Sequence, residues 1–456
     1  MPHAGSARPA PPGVGSRRSP RRPPGHGDVG GAPTLDIDYR LLSIPVISGV
    51  IGYVTNYVGI KLLFYPVSFV GVRLPGLAAV GRLLPRKLQS VPGVLDGKLG
   101  WQGVIPSRAA KMGSIAVDKG VSKLGSPSEF YEKLDPERIA QHILDTSRGD
   151  VRQLVERNLE REYPRLWRET PTPVREVVHE RVQAQLPDVV RTVTDEIGAN
   201  IDQLLDIKLM VIRHIEARPE LANSIFLEVG KKELDFVVNA GLYYGVLLGL
   251  PSIGLFLAVD QWWTLPLAGV LIGYATNAIA IKQIFIPITP RKIGPVTLHG
   301  LFMRRQPEVA RQYARLIATD IVTLENIGRE FMTGRRADRT RKMISTALKP
   351  AIDRAIGPLR GAVRLTKGRD SYEAVRERVA QEAFGYTVVP LQDPAFNARQ
   401  AEALEELLTV RMEQLAPDDF AELLRSAVKE DEWMLLFIGA VLGFTAGLLQ
   451  SLLTVI

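Results

Sequence analysis

Apolar positions along this chain are gathered into four long runs rather than spread at helical or strand spacing. Phe236–Val259 and Trp433–Ile456 each continue for 24 residues without a formal charge. Leu41–Phe64 and Trp262–Ile286 are similarly long, each broken by one lysine near its end, Lys61 and Lys282. About 20 helical residues cross a bilayer, and buried helices of water-soluble proteins rarely stay uncharged for so long. The pattern predicts a mainly α integral membrane protein with four transmembrane helices, 41–64, 236–259, 262–286 and 433–456.

Only Asp260-Gln261 separates the second and third runs, with Trp262 and Trp263 beside them, so these two form a tight hairpin with its tryptophans at the interface. The long connections 65–235 and 287–432 then share one side. Arg291, Lys292, Arg304 and Arg305 follow the third run closely, and the hairpin carries no basic residue. The positive-inside rule assigns both connections to the cytoplasm and the protein to the inner (plasma) membrane of a bacterium. The Pro/Gly-rich basic tail, 1–40, reads as disordered. It runs against that rule: it is translocated, or the true start lies downstream, or the first run is re-entrant.

Comparing the chain with itself reveals a duplication. Gly52-Tyr53-Val54-Thr55-Asn56 and Gly273-Tyr274-Ala275-Thr276-Asn277 share G-Y-x-T-N, followed by Ile60-Lys61 or Ile281-Lys282, then Phe64/Phe285 and Pro66/Pro287, all at an offset of 221. The returning spans match too, with Gly241, Gly245 and Gly249 against Gly439, Gly443 and Gly447. The chain is thus two parallel tandem repeats, each an entering span, a helical cytoplasmic region and a returning span. Matching Gly103 to Gly300 shifts the offset to 197, so the first repeat carries an insert of about 24 residues.

Within the connections, Leu134-Asp135-Pro136-Glu137 reads as an N-cap followed by proline at the first helical position. Ile201, Leu204, Leu205, Lys208 and Leu209 show helical periodicity, Pro164, Pro171, Pro173 and Pro187 punctuate the preceding helices, and Val174–Leu186 and Ala401–Leu415 are amphipathic. Tyr386–Leu391 is the one weak strand candidate.

Composition narrows the chemistry. There is no cysteine, which removes disulfides, thiolate metal sites and thiol nucleophiles. The six histidines form no HxxxH or HxH pair, so no metal or cofactor is expected. No Walker A, GxSxG or HExxH pattern occurs, and the chain reads as a non-enzyme. The net charge of +8 is unevenly placed: +7 over 65–127 and −6 over 128–235, then +11 over 287–370 and −8 over 371–432. A basic segment just after each entering span suits anionic lipid headgroups, with Lys61, Lys282, Arg291, Lys292, Arg304 and Arg305 at the interface. Arg335-Arg336-Ala337-Asp338-Arg339 lacks interleaved aromatics, so nucleic acid is not an expected partner.

On a helix, Lys61 and Lys282 reach the cytoplasmic interface and can snorkel. Asn56 and Asn277 lie five residues deeper, about 7 Å into the membrane, where an unmatched carboxamide costs several kcal/mol. Ser48, Gly52 and Asn56 form one small-residue stripe, and Gly269, Gly273 and Asn277 another. The simplest expectation is that the two entering spans, or copies in neighbouring protomers of a homo-oligomer, meet through these asparagines. The sharper one is a polar site between the repeats, built from Tyr53, Thr55, Asn56, Tyr274, Thr276 and Asn277. The first implies arms presented for self-assembly, envelope organisation or docking of a protein partner. The second implies lipid or small-solute binding or transport.

The G-Y-x-T-N-x(3)-I-K-x(2)-F-x-P block, with Gly103-Val104-Ile105-Pro106-Ser107-Arg108, Val229-Gly230-Lys231-Lys232-Glu233-Leu234 and the Gly439–Phe444 segment with Gln450, resembles a bacterial membrane-protein group of unknown function. This is domain-of-unknown-function family 445, which includes YheB- and YjiN-like proteins. The resemblance covers essentially everything after residue 40. It implies an inner-membrane protein with large helical cytoplasmic portions, and it supplies no reaction, ligand or catalytic residue.

Overall fold

The computed structural model describes residues 39–73, 75, 98–259, 261–355, 357, 369–429 and 432–455. The basic tail, apart from its last two residues, and most of the first-repeat insert lie outside them. In chain order the first repeat contains helix α1 (Tyr39–Phe64), strands β1 (Val70–Arg73) and β2 (Lys98–Trp101), and helices α2 (Pro136–Glu162), α3 (Thr172–Leu204) and α4 (Lys231–Val259). The second contains α5 (Thr264–Phe285), β3 (Arg291–Ile293), β4 (Val296–Leu298), α6 (Ala337–Ala355), α7 (Arg369–Val388), α8 (Pro394–Glu413) and α9 (Glu432–Val455). Shorter helices link them.

α1, α4, α5 and α9 are each long and apolar enough to span a membrane. Their burial is inverted relative to a soluble bundle. On α1 the large apolar residues Val46, Val50, Val54 and Tyr57 point outward, while Ser48, Gly52, Thr55 and Asn56 are buried. Lipid tails solvate valine as well as a protein interior does, so close helix packing selects small residues instead. α1 packs antiparallel on α4, α5 on α9, and the four close into one bundle.

Glycine sets the approach distance. A Cβ placed on Gly52 would lie 2.2 Å from the Gly241 carbonyl oxygen, and one on Gly273 would lie 2.2 Å from that of Gly439. Either position therefore excludes every other residue at this separation. The same register continues through Gly245 and Gly249 against Ser48 and Pro45, and through Gly443 and Gly447 against Gly269 and Leu265. The glycine stripes legible in the sequence are the seams of the two helix pairs.

The repeats also match just outside the membrane. Tyr65-Pro66 and Ile286-Pro287 are both cis, and each proline carbonyl accepts a 2.9 Å hydrogen bond, from Gly103 N and Gly300 N respectively. Each entering helix leads into a two-stranded antiparallel hairpin, β1 with β2 and β3 with β4. The hairpin is tight in the second repeat, and the insert opens it in the first.

Several local expectations fail for identifiable reasons. Tyr386–Leu391 is not a strand: it is the end of α7 running into a 3₁₀ turn. Pro187 does not punctuate but lies inside the 33-residue α3. The periodic stretch around Ile201–Leu209 is two helices, because the Asp206 side chain accepts from Leu209 N at 3.1 Å and starts a new one at Ile207. The Asp135 cap is present, accepting from Arg138 N at 3.2 Å. The two connecting regions do not stand apart as separate arms. Arg336 of the second repeat donates to the Asp202 and Leu205 carbonyls, and Gln400 donates to the Leu134 carbonyl at 2.6 Å, within one continuous core.

Candidate functional site

The residues of the G-Y-x-T-N pattern separate when folded. Successive helical positions turn by 100°, so Gly52 and Asn56 share the buried seam while Tyr53 swings off it. Tyr53 and Tyr274 are 40% and 51% exposed on the outer, lipid-facing surface of the bundle, and they do not line a polar site with the asparagines. Thr55 and Thr276 are buried, but their hydroxyls donate to the carbonyls of Gly52 (3.1 Å) and Gly273 (3.3 Å) within the same helix. Each hydroxyl proton is therefore committed within its own helix.

The asparagines are buried and do cross between helices, but not to each other. Asn56 Nδ2 donates to the Val237 carbonyl at 2.8 Å, and Asn277 Nδ2 donates to the Leu435 carbonyl at 3.0 Å. Each therefore ties the entering helix of its repeat to the returning helix of the same repeat, α1 to α4 and α5 to α9. The glycine seams explain why. They bring those partners close enough for a short carboxamide to reach backbone, and the two entering helices never come as close along their asparagine faces.

What the two asparagines share is a cavity of about 110 Å³ at the ends of the four spanning helices that adjoin the helical body. Its wall includes Asn56 and Asn277, apolar side chains such as Ile60, Leu63 and Ile281, and the carboxylate of Glu233. α4 begins at Lys231, five residues before the uncharged run, which puts Glu233 in its first turn and draws it into the bundle. Glu233 is 2% exposed, and its Oε1 accepts from Arg305 Nη1 at 2.6 Å. Its other oxygen, Oε2, is buried with no hydrogen-bond partner, and so is Oδ1 of Asn56. The site thus offers two buried acceptors, one of them a carboxylate oxygen, in a mostly apolar chamber whose wall also includes Asn277 and Glu432, the latter paired with Arg425.

Arg305 must be corrected. Expected to face lipid headgroups, it is largely buried and spans two carboxylates, Glu233 and Glu308, the latter at 2.9 Å. A buried carboxylate without a counter-ion is too costly to keep charged, and Arg305 supplies it. Arg305, together with Lys232, holds the exposed carboxyl of Glu308 far below the usual carboxylate range, at about 2. Arg291, Lys292 and Arg304 are exposed, as are Lys61 and Lys282 at the ends of α1 and α5. The Lys61 ammonium lies 5.7 Å and 5.4 Å from the ring centroids of Tyr57 and Tyr65.

Glu233 is the residue that sequence reasoning passed over. Its signal was present: the first of two acids, Glu233 and Asp235, following two lysines directly ahead of an uncharged run. Among the described residues no group of histidine, aspartate and glutamate is arranged to hold a metal ion.

Four spanning helices in two like-oriented repeats, with a helical body at one end, define a polytopic membrane protein. In segments of the chain the sequence is similar to uncharacterised bacterial membrane proteins that share one name. It is 37% identical over 100 residues to a UPF0754 membrane protein of Synechococcus sp. (strain JA-2-3B'a(2-13)), covering 20% of this chain and 24% of that one. It is 40% identical over 75 residues to a UPF0754 membrane protein of Shouchella clausii (15% and 20%) and 37% identical over 65 residues to one of Halalkalibacterium halodurans (14% and 17%). The match spans about a quarter or less of the length of these relatives, and their names state no reaction. No family model matches the chain, and no solved structure matches it.

Proposed function

We propose that this chain is a lipid-binding protein of the bacterial inner membrane, with its helical body in the cytoplasm and its ligand held in the chamber between the repeats. The observation that carries this reading is that Asn56 and Glu233, whose Oδ1 and Oε2 are buried without hydrogen-bond partners, both line one small chamber. Leaving polar atoms unsatisfied in an apolar setting costs about 1–3 kcal/mol each, more where charged. A ligand bearing an ammonium or hydroxyl group, as many lipid headgroups do, would satisfy both while its alkyl part met the apolar wall. The exposed Lys61, Lys282, Arg291, Lys292 and Arg304 would hold anionic headgroups around the rim. Kinship with domain-of-unknown-function family 445 belongs to the same proposal and rests on the sequence blocks around Gly52 and Gly103.

The test is lipid retained by the full chain after purification in mild detergent, quantified per protein by mass spectrometry. Asn56→Leu and Glu233→Gln should each reduce a specific retained lipid severalfold without changing oligomer size. If retention is unchanged while oligomer size shifts, the asparagines serve assembly and the lipid reading fails.

A further inference from the structure

A second and larger void lies in the extramembrane body and shares no wall residue with the chamber between the repeats. Its volume is about 210 Å³. α2 and α3 of the first repeat form one side, and α6 and α7 of the second form much of the other. Along α2 the wall runs from Ile139 to Leu159, and along α3 from Val178 to Ile197, so at 1.5 Å per residue the void is roughly 30 Å long.

The lining is almost wholly aliphatic and aromatic. Such a space excludes water, and dry apolar cavities of smaller size take up hydrocarbon ligands. Hydrocarbon is close at hand. A bilayer core about 30 Å thick holds two leaflets, so one lipid tail reaches about 15 Å and fits within the slot. Exposed aliphatic residues sit beside the wall at two places, Val177 next to Val178 and Val389 next to Val388.

Two polar atoms on the wall have no partner. One is Ser147 Oγ, on a side chain 5% exposed; the other is Arg376 Nε. The other guanidinium nitrogens of Arg376 are held by Asp353 at 2.8 Å and Glu373 at 2.5 Å. That cluster carries one positive and two negative charges, so it disfavours a carboxylate and suits a neutral oxygen such as an ester carbonyl or hydroxyl.

We propose that this slot is an alkyl-chain site, which holds one linear tail of an acyl ester or long-chain alcohol with its oxygen at Arg376. It is independent of the chamber between the repeats: Asn56→Leu and Glu233→Gln should leave it unaffected, so the two ideas fail separately.

The experiment offers delipidated full-length protein two probes, vesicles of phosphatidylcholine carrying a spin label on one tail, and a free spin-labelled long-chain alcohol without vesicles. A single cysteine at an exposed site beside the slot, Val177→Cys on this cysteine-free chain, carries a fluorophore that the label quenches on uptake. Quenching by either probe supports the site and identifies the source of its tail. Ala383→Phe, which fills the slot, should weaken quenching at least tenfold while the unfolding temperature holds or rises. No quenching of the otherwise unaltered chain by either probe overturns the proposal, whatever the filled variant does. Equal quenching in a folded Ala383→Phe protein overturns it as well.

Discussion

Replacing Gly52 by alanine tests the seam on which the chamber depends. The added Cβ would fall 2.2 Å from the Gly241 carbonyl oxygen, whereas ordinary contact begins near 3.4 Å. α1 and α4 must therefore part by 1.2 Å, the difference between those two distances. Separation by that amount would stretch the 2.8 Å Asn56–Val237 hydrogen bond to about 4 Å, beyond hydrogen-bond range. Overpacking costs about 1–3 kcal/mol and an intramembrane hydrogen bond averages about 0.6 kcal/mol, so the expected loss is about 2–4 kcal/mol. Gly273→Ala should cost a similar amount, because its Cβ meets Gly439 O at the same 2.2 Å. Gly254→Ala is the control: nothing lies within 4 Å of its Cβ, and the change should be neutral or slightly stabilising. The assay is unfolding of the full chain in one fixed detergent, with all three variants in parallel. Gly52→Ala and Gly273→Ala proteins as stable as Gly254→Ala would refute the seam.

Three other outcomes follow. Arg305→Leu strands the Glu233 carboxylate and should destabilise by about 3–5 kcal/mol, while Arg304→Leu, at an exposed position, should be near neutral in the same unfolding assay. Burial, with Arg218 and Arg329 nearby, depresses the pKa of His214 below 6.5. Unfolded chains then bind its proton more readily, so this contribution to stability is complete above pH 6.5 and is lost as pH falls through the folded value. Melting curves from pH 7.5 to 5 should show that loss, and a His214→Phe protein should show a shallower one. A cysteine at the exposed position 132, Glu132→Cys, should react with an impermeant maleimide only when the cytoplasmic face is accessible; labelling of intact cells from outside reverses the proposed orientation.

Much of the membrane architecture was written in the sequence. Uncharged run length is dictated by bilayer thickness, and the glycine spacings by helix pitch, so the spans and their small-residue faces could be placed from the sequence. Partner choice was less legible. Nothing local to Asn56 says whether its carboxamide meets Asn277 or the Val237 backbone; only the closeness of α1 to α4 decides it. Tyr53 was misplaced because three positions along a helix still leave a 60° offset, enough to turn a bulky ring outward when its neighbour is at a glycine seam. Arg305 and Glu233 are 72 residues apart, and their pairing depends on how the repeats pack. An arginine near a span therefore reads as an interface charge until the fold supplies its partner. The long slot was invisible for the same reason, since its two sides come from different repeats.

The account turns on whether the chamber between the repeats holds a ligand. A density map of the full chain extracted with native lipid tests this most directly. The account predicts a headgroup in the chamber, with a donor within hydrogen-bond distance of both Asn56 Oδ1 and Glu233 Oε2. A chamber closed by protein, with those two oxygens taken up by the chain's own donors, would contradict it.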